Sequence, residues 1–334
     1  MFELLRRYNW PKKYIPRVIG LLILQFVFAP GRWLEKFLFD SKIRSTTLRK
    51  DPIFIIGHWR SGTTHLHNLF AQDPQFAYCT MRDTLQPWTS ITNWSWPFFA
   101  FSVPDVRDVD GMKMGPDAAQ EEEIAYKMLS NHCWLQVEWF PRDYERFFRE
   151  DILFEGKEGV KAKRAISEAI VYWARKLTFK YGGKQLVLKN PSNTGRVKLL
   201  RELFPNAKFI HIHRNPYDVF PSQIKNIKWI LDTVDFQDTN TQKMAEEFTA
   251  WTYPEFMKLA LEYKNQIPEE NFYELSFDDL ERRPVEIMRE IYEKFRIDDY
   301  SEKRFRDYLA TVSSHKKNTF SMPQATVEKI NKSL

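Results

Sequence analysis

The stretch "FIIGHWRSGTTHL", residues 54–66, decides the fold because it joins a buried strand to a helix through a glycine-containing loop. Residues 53–56 are uniformly apolar and predict a strand that ends at Gly57. Four residues separate this glycine from Gly62, and a Thr-Thr pair then begins the predicted helix. A strand, a glycine loop and a helix in this order predict an α/β fold whose ligand binds at the loop.

The loop matches the phosphate-binding loop of nucleotide hydrolases only in part. That loop has the form G-x-x-x-x-G-K-[ST], in which the lysine contacts phosphate and the hydroxyl binds magnesium. Here Thr63 occupies the lysine position, and the cation of the loop is Arg60, two residues before the second glycine. The sequence therefore predicts an anion site that works without the usual lysine.

The residues of this loop suit a bound oxyanion. Backbone N–H groups at a helix N-terminus attract anions, and glycines let the backbone approach them closely. An arginine offers a planar fork of donors, and neighbouring hydroxyls add more. The alternative is a plain strand–turn–helix in which a Ser or Thr only caps the helix. The candidate anion-binding residues are Trp59, Arg60, Ser61, Gly62, Thr63 and Thr64.

The rest of the chain predicts alternating strands and helices. Strands are predicted in "PIFIIG", "KQLVLKN", "AKFIHIHR" and "NFYELS", each with a helical pattern after it, and "DDLERRPVEIMREIYEKF" predicts one long helix. This alternation predicts a three-layer α/β fold of the P-loop nucleotide-binding type, with a central parallel sheet flanked by helices. We assign residues 46–334 to this domain and residues 1–45 to an apolar, basic N-terminal helical extension.

Composition limits the classes of protein. The chain has 334 residues and a net charge of +6, which suits one large domain and is too mildly basic to indicate nucleic-acid binding. Two cysteines, Cys79 and Cys133, exclude a disulfide framework and favour free thiols in a reducing compartment. The histidines of "HLH" and "HIH" lack a neighbouring cluster of ligands, so we assign no metal.

The N-terminal segment is apolar and basic. Its apolar run, residues 18–29, is shorter than the roughly 20 residues of a spanning helix, and no small-residue cleavage site of a signal peptide follows it. Two interpretations stay open: a helical hairpin that lies on a membrane surface through residues 1–40, or two helices packed on the core. The cations before the run are Arg6, Arg7, Lys12, Lys13 and Arg17.

A second anion site is predicted after another strand. "KFIHIHRNPYDVFPSQ" places Arg214 at the end of a buried strand and Ser222 eight positions later on the following helix. Both side chains can reach one phosphate, and ligands of such sheets bind at the carboxyl ends of the strands. Two anion sites at one edge indicate a ligand that carries phosphate at both ends.

These two motifs resemble those of the sulfotransferases that use 3′-phosphoadenosine-5′-phosphosulfate (PAPS), in their bacterial branch. That family has a [KR]-S-G-T-T loop after a strand, and a strand-end arginine followed by a serine. "LVLKNPSNTGRVKLLRELFPNAKFIHIHRNPYDVFPSQ" and "NFYELSFDDLERRPVEIM" are similar to further stretches of the family. "GMKMGPDAAQEEEIAY" resembles its acidic segment P-Q-E-D-E, from which Ala119 and Glu122 depart. The resemblance covers residues 50–330.

The resemblance implies a PAPS-dependent sulfotransferase with PAPS as co-substrate and no metal. It places the glycine loop at the 5′-phosphosulfate, and Arg214 and Ser222 at the 3′-phosphate. Arg60 is expected to stabilise charge on the leaving oxygen during an in-line displacement. "SSHKKNTFS" resembles the basic loop that closes over the nucleotide, which adds three candidates: Lys316, Lys317 and Asn318.

The acceptor hydroxyl needs a base as the new bond forms. The acidic segment supplies Glu121, Glu122 and Glu123. On a predicted helix at most two of them could face one pocket, because consecutive side chains are about 100° apart. We favour Glu121 and place Glu122 second. Two further candidates are Lys113, as a contact to the sulfuryl oxygens, and His132, for which the alternative is a hydrogen-bonded core histidine.

The acceptor is predicted from apolar sequence. The stretch "LQPWTSITNWSWPFFAFSVP", with Trp88, Trp94, Trp96, Phe98, Phe99 and Phe101, is either core or the wall of an apolar pocket, and "WILDTVDF" adds to it. We expect a small apolar alcohol (steroid, sterol or lipid alcohol) rather than a sugar, and an enzyme that is cytoplasmic and peripheral at a membrane.

Two other functions stay open. One is a magnesium-dependent P-loop kinase that acts on a small alcohol, against which the missing loop lysine counts. The other is a non-catalytic protein that binds a nucleotide or a lipid, and such a protein would tolerate the loss of the loop cation or the acidic residues.

Overall fold

The computed structural model describes residues 2–103, 111 and 115–312, and a five-stranded parallel sheet forms its centre. The order across the sheet is β2-β3-β1-β4-β5, so the strand before the glycine loop lies in the middle. The predicted parallel sheet is confirmed. The strands are β1 (Ile53–Ile56), β2 (Phe76–Ala77), β3 (Gln185–Lys189), β4 (Lys208–His213) and β5 (Phe272–Ser276).

Helices cover both faces of this sheet. The α-helices are α1 (Phe2–Arg7), α2 (Ile15–Val27), α3 (Ala29–Ser45), α4 (Thr63–Phe70), α5 (Met81–Leu85), α6 (Trp96–Phe99), α7 (Glu123–Leu129), α8 (Tyr144–Phe147), α9 (Gly156–Lys180), α10 (Val197–Leu203), α11 (Pro216–Val234), α12 (Thr241–Lys264), α13 (Phe277–Arg282), α14 (Pro284–Phe295) and α15 (Glu302–Val312). Short 3₁₀ segments lie at Lys12–Tyr14, Ala100–Ser102, Trp134–Glu138, Pro141–Asp143, Pro191–Gly195 and Glu269–Asn271, and a π turn at Phe148–Ile152.

Alternate residues of the central strand face two different cores. Phe54 belongs to a cluster that α9 and α10 build on one face, around Trp173. Ile55 belongs to the cluster on the other face, which α4 and α14 build around Leu66 and Ile291. All four residues of β1 are buried. A strand that is covered on both faces must be apolar throughout, which explains its uninterrupted apolar sequence.

A third cluster of buried side chains lies outside the sheet. It centres on Trp134, which packs against Phe248 and Phe256 of α12, and it includes Val18 of α2. The N-terminal helices therefore contact the α/β domain along one side. The other side of α2 and α3 is rich in exposed apolar residues.

Within the described ranges, no single helix is long and apolar enough to cross a membrane. The bent pair Lys12–Val27 and Ala29–Ser45, with an angle of 42° between its halves, meets the length and composition of a span only when the two are taken together.

The region after β5 differs from its prediction. "DDLERRPVEIMREIYEKF" forms the two helices α13 and α14 instead of one long helix. The break falls at Arg283, which has φ −139° and ψ 56°, directly before Pro284. The proline ring disfavours the helical conformation of the preceding residue, which ends one helix and begins the next. The long helices α9 and α12 and the two-residue strand β2 had not been predicted.

Candidate active site

The glycine loop after β1 depends on two backbone conformations that favour glycine. Gly57 has φ +142°, and a Cβ there would lie 2.2 Å from the carbonyl oxygen of Ile212. Gly62 has φ +100°, and a Cβ there would lie 2.1 Å from the ring of Phe277. The N–H of Gly57 donates to Thr194 Oγ1 at 2.8 Å, which ties the loop to the segment after β3. Side chains at either glycine would displace the loop.

Arg60 joins the two predicted anion sites. Its φ of +70° is unusual for a residue with a side chain. Its Nε donates a hydrogen bond at 2.9 Å to Oγ of Ser222, a residue of α11. A serine hydroxyl can accept one hydrogen bond and still donate its own hydrogen. The residues predicted to bind the two phosphate-bearing ends of one ligand are therefore adjacent in the fold.

Arg214 stands beside this pair. Its guanidinium carbon lies 4.6 Å from the centre of the Phe277 ring, and its Nε is 3.5 Å from Asp218 Oδ2, which is too long for a good hydrogen bond. This buried Nε has no hydrogen-bond partner among the residues that the structure describes. Because a buried cationic donor costs free energy unless it is paired, Arg214 is suited to an added anion.

One cavity of about 1340 Å³ opens beside these residues. It exceeds the roughly 300–1,000 Å³ of an ordinary ligand pocket, so it has room for two ligands. Ser61 does not line it, because its hydroxyl is buried and donates to the carbonyl oxygen of His58 at 2.7 Å. The predicted site residues that line the cavity are Trp59, Arg60, Gly62, Thr63, Thr64, Glu121, Arg214 and Ser222.

Glu121 is the glutamate of the acidic segment that lines the cavity. Its carboxylate accepts a hydrogen bond from Lys189 Nζ at 2.6 Å, and its side chain is 20% exposed. Lys189 is the last residue of β3 and is itself buried. The sheet thus places Lys189 and the Glu121 carboxylate together at the edge from which the glycine loop also leaves β1.

The other two glutamates are buried beneath the cavity. Glu122 accepts from Asn193 Nδ2 at 2.9 Å, and its Oε2 has no hydrogen-bond partner within the described part of the chain. Burial, and secondarily the neighbouring carboxylates, raises the pKa of Glu122 to about 8. Glu123 pairs with Arg196 at 2.7 Å, and both side chains are fully buried.

The helical arrangement assumed for this segment is wrong. The helix begins only at Glu123, with Glu122 as its N-cap residue and Glu121 before it, so the three glutamates do not lie on one helix. Each glutamate instead bonds a different partner, and the three partners, Lys189, Asn193 and Arg196, lie on the short stretch from the end of β3 to the start of α10.

Five further candidates remain: one lies away from the cavity, and the other four lie outside the described residues. His132 does not line it, and its Nδ1 is 3.3 Å from Asp151 Oδ1, which fits the alternative of a hydrogen-bonded core histidine. Lys113 lies outside the described residues, and so do the candidates of the C-terminal segment: Lys316, Lys317 and Asn318.

Lys189 and Thr194 are site residues that the sequence reasoning missed. Both lie in "LVLKNPSNTGR", a stretch that is similar to the family but contains no glycine loop or acidic motif. A lysine at the end of a buried strand was a usable signal, because cations at that position point to the ligand edge of a parallel sheet.

Part of the cavity wall is apolar. Ile227, Ile230 and Val234 of α11 line the cavity, and so do Ile124, Leu135 and Val137, beside the ion pair of Lys127 and Glu138. Residues of the "WILDTVDF" stretch therefore line the cavity, which agrees with the prediction that this stretch belongs to an apolar pocket. The aromatic stretch does not, and none of these six described residues lines the cavity: Trp88, Trp94, Trp96, Phe98, Phe99 and Phe101. Several of these side chains are instead exposed, because the stretch packs on α3 at the surface.

The described residues include no group of three or more His, Cys, Asp or Glu side chains that could hold a metal ion. His211 of "HIH" instead bonds Glu274 at 3.0 Å, and this hydrogen bond lowers the pKa of Glu274 to about 2.

Comparison with known proteins gives consistent results. The model of the sulfotransferase family matches residues 52–302. The omega-hydroxy-beta-dihydromenaquinone-9 sulfotransferases Stf3 of Mycobacterium bovis and Mycobacterium tuberculosis are each 31% identical over 306 residues, which is 89% of this chain and 76% of theirs.

Two solved structures share the fold. Sulfotransferase STF9 from Mycobacterium avium has a TM-score of 0.65 at 19% identity, over 85% of this chain and 72% of that one. Sulfotransferase STF1 from Mycobacterium tuberculosis has a TM-score of 0.64 at 16% identity, over 90% and 81%.

Proposed function

This chain belongs to the sulfotransferase family, and from that premise we propose that it transfers the sulfuryl group of PAPS to the hydroxyl of an apolar alcohol. The observation that carries the proposal is that one cavity is lined by Arg60 and Ser222, by Glu121 and by apolar residues of α11.

The charged and polar residues of the cavity suit PAPS. Gly57 and Gly62 let the loop take the backbone path that leads into the N-terminus of α4, where Thr63 and Thr64 line the cavity and suit a 5′-phosphosulfate. Arg214, whose buried Nε makes only the long 3.5 Å contact to Asp218 among the described residues, and Ser222, with a hydroxyl hydrogen to donate, suit the 3′-phosphate. PAPS supplies the sulfuryl group and the leaving phosphate when it is bound.

In the proposed transfer, Glu121 and Arg60 take part in the chemical step, and Lys189 positions Glu121. Glu121 takes the hydroxyl proton as the acceptor oxygen forms its bond to sulfur. Arg60 stabilises the negative charge that develops on the phosphate oxygen as the sulfur–oxygen bond breaks. Lys189 holds the Glu121 carboxylate in place at 2.6 Å, and no metal takes part in the proposed step.

The acceptor is proposed to be a small alcohol with an apolar body: a steroid, sterol or lipid alcohol. The support is the apolar part of the cavity wall and the similarity to relatives named for a menaquinone derivative, which is itself lipid-like. We also propose a cytoplasmic enzyme that is peripheral at a membrane and contacts it through residues 1–40. The two cysteines are free and buried, as expected in a reducing compartment.

Purified protein with labelled PAPS and a panel of alcohols tests this proposal. We expect transfer to sterols and long-chain alcohols and little to sugars. A matched reaction with magnesium-ATP should give no phosphoryl transfer. If sugars are the better acceptors, the apolar part of the cavity wall does not select the substrate; if label reaches no alcohol while the nucleotide binds, the acceptor class is wrong.

A further inference from the structure

The N-terminal helices and the aromatic stretch that packs on them carry many exposed apolar side chains, which together we call the apolar face. The most prominent members are Phe26 (81% exposed), Phe37 (85%) and Phe101 (96%). Soluble monomers seldom expose large contiguous apolar patches unless the patch binds something. The whole face comprises Ile15, Ile19, Ile23, Leu24, Phe26, Val27, Trp33, Leu34, Phe37, Leu38, Trp94, Phe98 and Phe101.

Two parts of the chain are joined into this one face. Phe28, between α2 and α3, contacts Trp94 and Phe98, with ring centres 5.8 Å apart in both cases. A Cβ at Gly31 would lie 2.0 Å from the indole of Trp94, so this glycine lets the aromatic stretch lie directly on α3. The aromatic stretch that does not line the cavity therefore extends the exposed surface of the hairpin.

The charges around the face are cationic. Lys12, Lys36 and Lys42 are exposed on the same helices or just before them. The two acidic residues of α2 and α3 are both paired with cations: Glu35 is buried against Lys176 at 2.8 Å, and Asp40 pairs at the surface with Arg44 at 2.7 Å. Protruding aromatic and aliphatic side chains with a lysine rim are the composition of a helix that lies in the interface of an anionic bilayer.

We propose that the apolar face docks into the headgroup region of an anionic lipid bilayer, with α2 and α3 lying along the membrane. Thirteen residues of α2 extend about 20 Å, which is short of a hydrocarbon core of about 30 Å. One side of α2 packs against the rest of the protein, since Val18 is buried in the cluster around Trp134. The helix is therefore built to lie on a surface.

Docking in this way places the membrane beside elements that line the cavity. Arg17 of α2 donates to the carbonyl oxygen of Thr233, which lines the cavity on α11, at 2.8 Å. On the other side, Trp88 Nε1 donates to the carbonyl oxygen of Met128 on α7, the helix that contributes Ile124 to the lining. The acceptor alcohol then enters from the bilayer; this last step rests on the proposed function.

Co-sedimentation of the full chain with vesicles tests the docking. We would compare phosphatidylcholine vesicles with and without phosphatidylglycerol, using the triple variant F26S/F37S/F101S. These side chains are almost fully exposed, so their loss leaves the core intact. The matched control is V160S/L261S, whose apolar residues are 68% and 65% exposed on α9 and α12. We expect the triple variant to lose vesicle binding at least about tenfold, the control to bind like wild type, and phosphatidylglycerol to strengthen binding in a salt-sensitive way.

Three outcomes would overturn the docking. The first is equal vesicle binding by wild type and the triple variant, and the second is an equal loss of vesicle binding in the control variant. The third is a protein that does not bind vesicles but forms a dimer, which the triple variant abolishes. The last would assign the face to a second copy of the chain. Activity separates this inference from the proposed function. The triple variant should sulfate a short soluble alcohol like wild type and lose transfer to a vesicle-embedded alcohol. Vesicle binding without transfer to any alcohol would contradict the proposed function alone.

Discussion

The glycine loop at residues 57–64 and the acidic segment at residues 120–123 both contribute to the cavity, but their side chains are oriented by different forces. In the loop, the positive φ angles of Gly57 and Gly62 set the path of the backbone locally, and single hydrogen bonds from Gly57 to Thr194 and from Arg60 to Ser222 then hold it. In the acidic segment, three consecutive glutamates differ because Lys189 and Arg196, far away in sequence, bind two of them differently.

This difference shows where chemically similar neighbours diverge. Glu121 is partly exposed and lines the cavity, whereas Glu122 is fully buried and has a raised pKa. In the loop, Arg60 reaches into the cavity while the adjacent Ser61 hydroxyl is used internally. A short motif therefore gives candidates, and burial separates the residues that meet a ligand from those that support them.

The largest effect is expected in the acidic segment. Glu121→Gln keeps size and hydrogen bonding but cannot take a proton at neutral pH, so the turnover number with an aliphatic alcohol should fall about 10²–10⁴-fold. The loss should be smaller with a phenol, whose hydroxyl is more acidic. Steady-state kinetics at saturating PAPS measure this.

Glu122→Gln is the matched control for Glu121. It replaces a buried carboxyl whose pKa of about 8 keeps it mostly protonated at pH 7, and we expect less than about a tenfold loss of turnover. Comparable losses of turnover in both variants would show that the difference in burial between the two glutamates does not correspond to a difference in function.

The second effect concerns the cation of the loop. Arg60→Ala should lower turnover by about 10²-fold or more, and weaken binding of the desulfated nucleotide much less, because its charge matters most as the leaving oxygen becomes negative. Single-turnover rates and calorimetry separate the two quantities. A chelator should leave wild-type activity intact. Unchanged turnover at saturating PAPS would reduce Arg60 to a structural residue.

The third effect is on affinity. Arg214→Ala should weaken binding of 3′-phosphoadenosine-5′-phosphate by about 2–4 kcal/mol, or roughly 30- to 1,000-fold. Adenosine-5′-phosphate, which lacks the 3′-phosphate, should bind weakly and be little affected. Isothermal titration calorimetry gives both values. Equal affinities of the wild type for the two nucleotides would contradict the assignment of this arginine.

The smallest effect is on stability. The folded protein raises the pKa of Glu122 above its ordinary 4.5 to about 8, so the folded state binds its proton more tightly than the unfolded state. The stability that this proton contributes is complete below about pH 4.5 and is lost as pH rises towards 8, by on the order of a few kcal/mol.

Glu122→Gln removes this dependence. The melting temperature of the variant should therefore rise relative to wild type between pH 5 and 8. Thermal denaturation at several pH values measures the difference, with Glu121→Gln as the comparison. A constant difference across this range would mean that Glu122 is already ionised in the folded protein.

The sequence by itself determined the parallel α/β fold, the family and the position of the glycine loop. These follow from local rules: the apolar run of β1, which is covered on both faces, and glycines where φ is positive. The Arg214 and Ser222 spacing was equally readable, because a strand end and the next helix lie close together in any such fold.

Only the tertiary structure decided which glutamate meets the cavity, that Lys189 stands beside it, and that the aromatic stretch lies on α3 rather than in the pocket. Each of these depends on contacts between residues far apart in sequence: Lys189 with Glu121 over 68 positions, Arg196 with Glu123 over 73. Periodicity and short motifs describe a residue's neighbours along the chain, whereas burial and charge pairing depend on which distant segments pack against it.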